Sequence, residues 1–317
     1  GNPYLKWETT STGNIGLDVS LLGNKISFNL DVFQKTTDDL LIQPQSSGLT
    51  GVAGIGSSAP AINAGTVENS GIEFLISYRD QFSENFKFNT SFNFTTINNN
   101  VTYVGNLAGF EQGGGFGVGT GIVTSRMEAG HSLGYFYGYK TNGIYQNQGE
   151  IDVLNAGATS NGNIYHTGAG VGDLRFVDTN GDGYISEVDK TDIGDPIADI
   201  TAGLNLGFSY KKIDFSAAAI GSFGNNMVRD YQRFNLLANK SERLINRWTP
   251  TNPSNTIPRA SSGASINTDL FSDYFVEDAS FVRIQNIQVG YTFDKVALDK
   301  IKVDSLRLFL SANNLHT

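Results

Sequence analysis

A segment of twelve residues, 178–189, has the residue types and spacing of a calcium-binding loop. Carboxylate and amide side chains stand at its first, third and fifth positions, and Gly183 follows at the point where such loops turn sharply. The twelfth position holds Asp instead of the usual Glu. Because Ca²⁺ is a hard cation that prefers oxygen ligands, the pattern predicts a structural calcium site. Its ligands would be Asp178, Asn180, Asp182, the carbonyl of Tyr184 and Asp189. The alternative is an acidic turn that binds no metal.

A second group of residues that could bind a ligand is the aromatic segment 133–139. Tyr135, Tyr137 and Tyr139 stand at alternate positions in it. Aromatic rings in this arrangement could stack on sugar rings, so the three tyrosines are candidate substrate-binding residues. The alternative is that they stabilise a β-ribbon within a long loop.

Few residue patterns in the sequence point to catalysis. It lacks H-E-x-x-H and a phosphate-binding G-K-[ST] loop, and it contains no Cys. The three His residues are far apart in the sequence, so a His-based metal site is not expected. We therefore predict that the chain is not an enzyme. Its net charge of −9 also argues against nucleic acid as a partner, because phosphate binding needs a basic surface.

The elements that must position these residues are predicted from an alternation of apolar and polar side chains. Strict alternation indicates β-strands with one apolar face, and it predicts about eight strands here. They lie at 15–21, 26–32, 72–78, 86–94, 202–210, 213–219, 287–293 and 306–310.

The connections between the predicted strands alternate between short and long. Turns near 23–25, 83–85, 211–212 and 294–302 join hairpins, whereas 36–69, 98–198 and 225–279 are long. This pattern is typical of outer-membrane barrels, whose periplasmic turns are short and whose extracellular loops are long. We therefore predict an all-β, antiparallel transmembrane barrel segment whose apolar face contacts outer-membrane lipid. The alternative is a secreted β-sandwich with large insertions.

The predicted domain organisation is one partial C-terminal barrel domain, 1–317, with the calcium-type loop inside the extracellular region 98–198. No run of 18 apolar residues indicates a transmembrane helix. Both ends break off abruptly, and we expect the chain to be part of a longer protein.

Four segments resemble those of SusC/RagA-type TonB-dependent outer-membrane receptors of Bacteroidetes. They are NPYLKWE at 2–8, NAGTVENSGIE at 63–73, GYFYGYK at 134–140 and GDLRFVD at 172–178. The resemblance implies a barrel of about 22 strands, with a plug, a TonB box and last strands that lie outside this chain.

The resemblance also implies a function and partners. Receptors of this type import glycans, oligosaccharides or peptides together with a SusD-like surface lipoprotein, and the TonB complex drives them. The first hypothesis is therefore a part of a nutrient importer in the cell outer membrane, for glycans or oligosaccharides, with peptides as the second substrate class. The alternative is a secreted calcium-stabilised β-domain that acts as an adhesin or carbohydrate-binding module.

Overall fold

The computed structural model describes residues 2–43, 60–115, 122–160, 162–230, 241–261, 265–294, 298 and 302–317. The chain divides into two compact units. The first comprises Gly1–Gly105, Ile197–Asn225 and Ala279–Thr317, and the second comprises Asn106–Pro196 and Asn226–Asp278. The first therefore holds the predicted strands, and the second holds most of the two longest connections between them.

The first unit is built on an antiparallel sheet of eight strands, in the order β1-β2-β5-β6-β13-β14-β17-β18 among the described residues. The strands are β1 (Thr9–Leu21), β2 (Ile26–Asp38), β5 (Gly65–Ser83), β6 (Phe86–Val104), β13 (Ile200–Tyr210), β14 (Ile213–Phe223), β17 (Phe281–Thr292) and β18 (Arg307–His316). A short antiparallel pair, β3 (Leu41–Ile42) and β4 (Ile62–Asn63), lies in the connection between β2 and β5. Each of the eight predicted strands is confirmed, and so is the all-β antiparallel fold class.

One face of this sheet is apolar across neighbouring strands, because the register aligns the apolar positions. Leu204 pairs with Phe92 on one side and Ala219 on the other. Phe208 pairs in the same way with Phe88 and Phe215. Many of the apolar side chains are exposed, and Leu204 retains 46% of its accessible surface. An exposed apolar surface that continues from strand to strand is expected where a protein faces lipid.

The opposite face carries polar side chains that hydrogen-bond across the strands. The Asn205 amide donates to Ser91 over 3.3 Å, and the Asn286 amide donates to Asn313 over 2.7 Å. Gly207 leaves room for a neighbouring Asn, since a Cβ at this position would lie 2.6 Å from the Asn89 Oδ1 atom. The two faces therefore have the opposite polarity that a membrane-spanning sheet requires.

The short turns lie at one end of the sheet and the long connections at the other, as follows from antiparallel pairing of consecutive strands. Lys211 adopts a left-handed φ of 54° in the tight turn between β13 and β14. The strands are longer than the alternation indicates. β6 continues to Val104, so the first residues of the predicted 98–198 region lie in the sheet, where Asn98, Asn99 and Asn100 pair with β5. The alternation misses this extension because three consecutive Asn residues interrupt it.

Among its described residues, the second unit contains small sheets, two α-helices and several turns of 3-10 helix. Its strands are β7 (Phe110–Gly113), β8 (Ser125–Glu128), β9 (Tyr135–Gly138), β10 (Thr141–Ile144), β11 (Leu174–Phe176), β12 (Thr191–Gly194), β15 (Asn226–Val228) and β16 (Val276–Asp278). The helices are α1 (Gln148–Ala156) and α2 (Ile266–Asp269), with 3-10 turns at Glu187–Asp189, Glu242–Asn246 and Asp273–Phe275. Within the described residues, the sheet order is β12-β9-β8-β7, and β10 pairs with β11 and β15 with β16.

The core of the second unit is aromatic. Tyr139, Ile144, Leu174, Phe176 and Trp248 form one buried cluster. The core therefore includes one tyrosine of the segment 133–139 and two residues of β11, the strand that precedes the calcium-type loop.

No helix in the described part of the chain is both long enough and apolar enough to cross a membrane.

Candidate functional site

The acidic loop 178–189 lies in the second unit. It follows β11 and ends with the 3-10 helix Glu187–Asp189. The structure brings its three predicted carboxylates together, since one oxygen from each of Asp178, Asp182 and Asp189 lies within 4.8 Å of the others. Asp189 is completely buried, whereas Asp178 and Asp182 are partly exposed. The cluster is therefore open to solvent on one side and closed on the other.

Asp178 organises the first half of the loop through backbone hydrogen bonds. Its Oδ1 accepts from the Gly181 N–H at 2.6 Å, and its Oδ2 accepts from the Gly183 N–H at 2.7 Å. Both glycines have left-handed φ angles, 74° and 90°, which a side chain would strain. The glycines allow the chain to wrap around one carboxylate.

Asp189 closes the loop from the other end. Its Oδ1 accepts from the Thr179 N–H at 2.9 Å, and its Oδ2 accepts from the Ser186 N–H at 2.7 Å. Ser186 caps the 3-10 helix in return, with its hydroxyl accepting from the Val188 N–H at 3.4 Å. A shorter Asp thus fits the twelfth position by bonding directly to the loop backbone.

Tyr165 fixes the loop to the core of the unit. Its carbonyl accepts from the Ile185 N–H at 2.7 Å, and its phenolic oxygen accepts from the Asp178 N–H at 3.1 Å. Burial raises the pKa of Tyr165, which keeps its hydroxyl neutral. Ile185 itself packs against the buried aromatic cluster. The carboxylates are therefore held in place by hydrogen bonds on both sides of the loop.

The chemistry of the cluster fits a hard divalent cation. Within the described residues, none of its three carboxylates pairs with Lys, Arg or His. Such close negative charges repel unless a cation compensates them. Asn180 and Tyr184 belong to the same arrangement: the Asn180 Oδ1 accepts from the Asp182 N–H at 2.8 Å, and the Tyr184 N–H donates to Asp182 at 3.2 Å. The loop could hold Ca²⁺ through these five residues.

The three candidate tyrosines differ in their exposure. Tyr135 and Tyr139 are buried, with 2% and 3% of their surface exposed, and Tyr137 is partly exposed. Burial raises the pKa of both buried phenols, and hydrogen bonds to Glu128 and Glu187 raise it further. The structure therefore places two of the three in the packing of the unit and leaves only Tyr137 with a partly exposed ring.

A cavity of about 390 Å³ lies between Tyr137, Tyr139 and the end of the calcium-type loop. Arg126, Lys190 and Glu187 contribute charged side chains to its lining. The guanidinium of Arg126 lies between two aromatic rings, 3.9 Å from the Phe110 ring centroid and 3.4 Å from that of Tyr137. Sequence analysis did not single out Arg126, because its partners come from three different strands and no local motif marks it.

Comparison with known proteins decides the family. The family described as TonB dependent receptor-like, beta-barrel matches residues 1–315. The chain belongs to the TonB-dependent receptor family. The resemblance to SusC/RagA-type receptors is therefore confirmed, as is the expected location in the outer membrane. This family consists of receptors and not of enzymes, in agreement with the sequence analysis.

Individual relatives agree with this assignment. "TonB-dependent receptor P3" of Formosa agariphila is 30% identical over 321 residues, which cover 100% of this chain and 30% of that protein. "TonB-dependent receptor SusC" of Bacteroides thetaiotaomicron is 31% identical over 297 residues, which cover 93% of this chain and 27% of that protein. The chain thus spans about a third or less of the length of these relatives.

The fold is similar to a solved structure described as the RagAB peptide transporter. The two chains superpose with a TM-score of 0.75 at 22% sequence identity, over 100% of this chain and 32% of that chain. This similarity covers both units of the chain and supports a barrel segment with large insertions as its architecture.

Proposed function

We propose that the receptor to which this chain belongs imports glycans or oligosaccharides across the outer membrane, with peptides as the second substrate class. The observation that carries this proposal is the family match over residues 1–315, together with a sheet that is apolar on one face and polar on the other. The family assignment disfavours the alternative of a secreted adhesin or carbohydrate-binding module.

The polar face of the sheet supports a hydroxyl-rich substrate. Asn89, Asn205 and Asn286 line one shallow cavity of about 520 Å³ on this face. An amide both donates and accepts hydrogen bonds, as a sugar hydroxyl does, so these amides can bind sugars, beside the charged Lys87 and Asp214 that line the same cavity. We infer that this surface faces the lumen of the barrel along the transport route.

The proposal includes partners outside this chain. A SusD-like lipoprotein would cover the receptor on the extracellular side, and the TonB complex would drive transport through parts of the receptor that precede this chain. The second unit is the extracellular region of this proposal. Its two segments, 106–196 and 226–278, belong to the two longest connections between strands of the sheet.

We also propose that Asp178, Asn180, Asp182, the Tyr184 carbonyl and Asp189 bind a structural Ca²⁺. The support is the convergence of three carboxylates in a loop whose backbone already wraps around them. The ion would stiffen the second unit in place of disulfides, since the chain contains no Cys. No role in a chemical reaction is assigned to it.

A growth experiment tests the import proposal. A strain that lacks the full receptor gene is compared with its parent on single glycans and on peptides as the only carbon source. We expect loss of growth on at least one glycan and normal growth on glucose. The matched control is complementation with a receptor that lacks its TonB box, which should fail to restore growth. Normal growth of the deletion strain on every glycan and loss of growth on peptides alone would contradict the proposed substrate class.

A further inference from the structure

The cavity beside Arg126 has a volume and a lining that neither the calcium-type loop nor the eight-stranded sheet accounts for. It is enclosed by β7, β8, the end of β9, the 3-10 helix Glu187–Asp189 and the segment 269–271, all within the second unit. Its volume of about 390 Å³ falls in the range of small-molecule sites. Charged groups at its wall stand beside aromatic and aliphatic side chains, as in pockets that orient a ligand.

The position of Arg126 restricts how a ligand can approach it. The rings of Phe110 and Tyr137, from the strands on either side of β8, contact the guanidinium, at 3.9 and 3.4 Å from its central carbon to their centroids. The N–H donors of a guanidinium point outward in its plane. Two rings already contact the guanidinium, so a ligand would meet Arg126 through its N–H donors, where a planar acceptor with two oxygens fits best.

The hydrogen bonds of Arg126 are incomplete. Its Nη1 lies 3.4 Å from Glu128 Oε2, a long contact, and that same oxygen already accepts from the Tyr135 hydroxyl at 2.6 Å. The Nε of Arg126 is buried and has no hydrogen-bond partner among the described residues. Buried donors without a partner are rare, and a charged one is costly, so an acceptor is expected at this position.

The other charged groups of the cavity already have partners. Lys190 contacts Glu187 at 2.5 Å, and Asp269 accepts from the Ser265 N–H at 2.9 Å. Arg126 is therefore the cation in this cavity with the greatest unused capacity for an anion.

We propose that the cavity binds a carboxylate group, which Arg126 receives along its edge while Tyr139, Leu270 and Phe271 contact the rest of the ligand. The carboxylate could belong to a uronic acid residue of a glycan or to the C-terminus of a peptide. Both present the same planar pair of oxygens, so the structure defines the shared chemistry. The proposal concerns binding by the receptor alone and does not depend on import.

Calorimetry on the full-length receptor in detergent tests the proposal with two matched pairs of ligands. The first pair is trigalacturonate and its methyl ester, and the second is the peptide Gly-Gly-Phe and its C-terminal amide. We expect one of the two acids to bind at least tenfold more tightly than its neutral counterpart. The pair that shows the difference identifies the source of the carboxylate.

Two substitutions then assign the effect to Arg126. Arg126→Gln removes the positive charge. Arg126→Lys keeps the charge and the aliphatic part of the side chain but loses the pair of N–H donors that binds both oxygens of a carboxylate. Both should abolish the preference for the acid. Arg175→Gln is the control, because Arg175 lies in the same unit and donates to the Asn142 carbonyl outside this cavity. Circular dichroism and heat-modifiable gel mobility confirm that each variant is folded.

The proposal is overturned if neither acid binds more tightly than its neutral counterpart. It is also overturned if the preference persists in folded Arg126→Gln and Arg126→Lys receptors. In those cases the role of Arg126 is structural: it packs β7, β8 and β9 together through its contacts with Phe110 and Tyr137.

Discussion

The Tyr139 hydroxyl donates a hydrogen bond of 3.2 Å to Glu187 Oε1, across 48 residues of sequence. Tyr139 ends the aromatic segment, and Glu187 begins the 3-10 helix that closes the acidic loop. The contact makes the end of the proposed calcium loop one wall of the cavity beside Arg126. Two features that are separate in the sequence thus form one structural site.

Calcium binding is expected to depend on the carboxylates of the loop. In the full receptor, Asp178→Asn and Asp182→Asn should each weaken Ca²⁺ binding at least tenfold, because each removes a negative charge from the cluster. Calorimetry measures the effect, and terbium luminescence sensitised by Tyr184 provides a second signal. The control is Asp152→Asn on α1, whose carboxylate accepts from Gln148 outside the loop. The calcium proposal fails if the unmodified receptor shows no heat with Ca²⁺ and chelation leaves the protease sensitivity of 147–198 unchanged.

Metal and ligand binding are expected to be coupled through Glu187 and Lys190. Removing Ca²⁺ frees the end of the loop that carries both residues, so the cavity loses a fixed wall. We expect chelation to weaken the preferred carboxylate ligand by about fivefold or more, the lower end of typical coupling between sites. The ligand should increase Ca²⁺ affinity by the same factor. An unchanged ligand affinity after chelation would show that the two sites are independent.

The second unit is expected to lose stability in acid because of His166. This side chain is buried against the Phe176 ring, and burial lowers its pKa to about 4 despite the opposing effect of Asp173. Between pH 6.5 and 4 the imidazole is neutral in the folded chain and charged in the unfolded chain, so stability falls as the pH falls through this range. The full effect is about 3 kcal/mol.

Hydrogen exchange of peptides from 160–176, corrected for the intrinsic rate at each pH, measures this loss. His166→Leu should remove most of the acid sensitivity, since no imidazole is then left to protonate. His131→Leu should keep it, because His131 is only partly buried, where it stacks on Tyr135. Equal acid sensitivity in the His166 variant and the unmodified receptor would refute this prediction.

The two faces of β13 are expected to differ in their access to water. Single Cys substitutions at Leu204 and Leu206 should resist a membrane-impermeant thiol reagent in intact membranes, whereas Asn205→Cys and Ser209→Cys should react. The reason is that Leu204 and Leu206 align with the apolar face and Asn205 with the polar face. This chain contains no Cys, so it adds no background signal to the thiol labelling. Labelling at 204 and 206 but not at 205 would reverse the assignment of the faces.

The sequence alone determined the strands and the acidic loop because both are local patterns. A period of two residues is sufficient to place apolar side chains on one face, so all eight strands could be predicted. The spacing of Asp178, Asp182 and Asp189 likewise places them in one short loop, where backbone N–H groups and two glycines draw the carboxylates together. The extension of β6, where three consecutive Asn residues interrupt the alternation, and the helix α1 lacked such a pattern and were missed.

Only the tertiary structure decided the burial of Tyr135 and Tyr139 and the environment of Arg126. Alternate tyrosines look equivalent in the sequence, but Tyr139 packs into the buried cluster with Phe176 and Trp248, Tyr135 is buried against His131, and Tyr137 stays partly exposed. The rings around Arg126 come from β7 and β9, on either side of its own strand. Such contacts depend on which strands become neighbours, and no local residue spacing indicates the pairing of the short strands β7, β8 and β9.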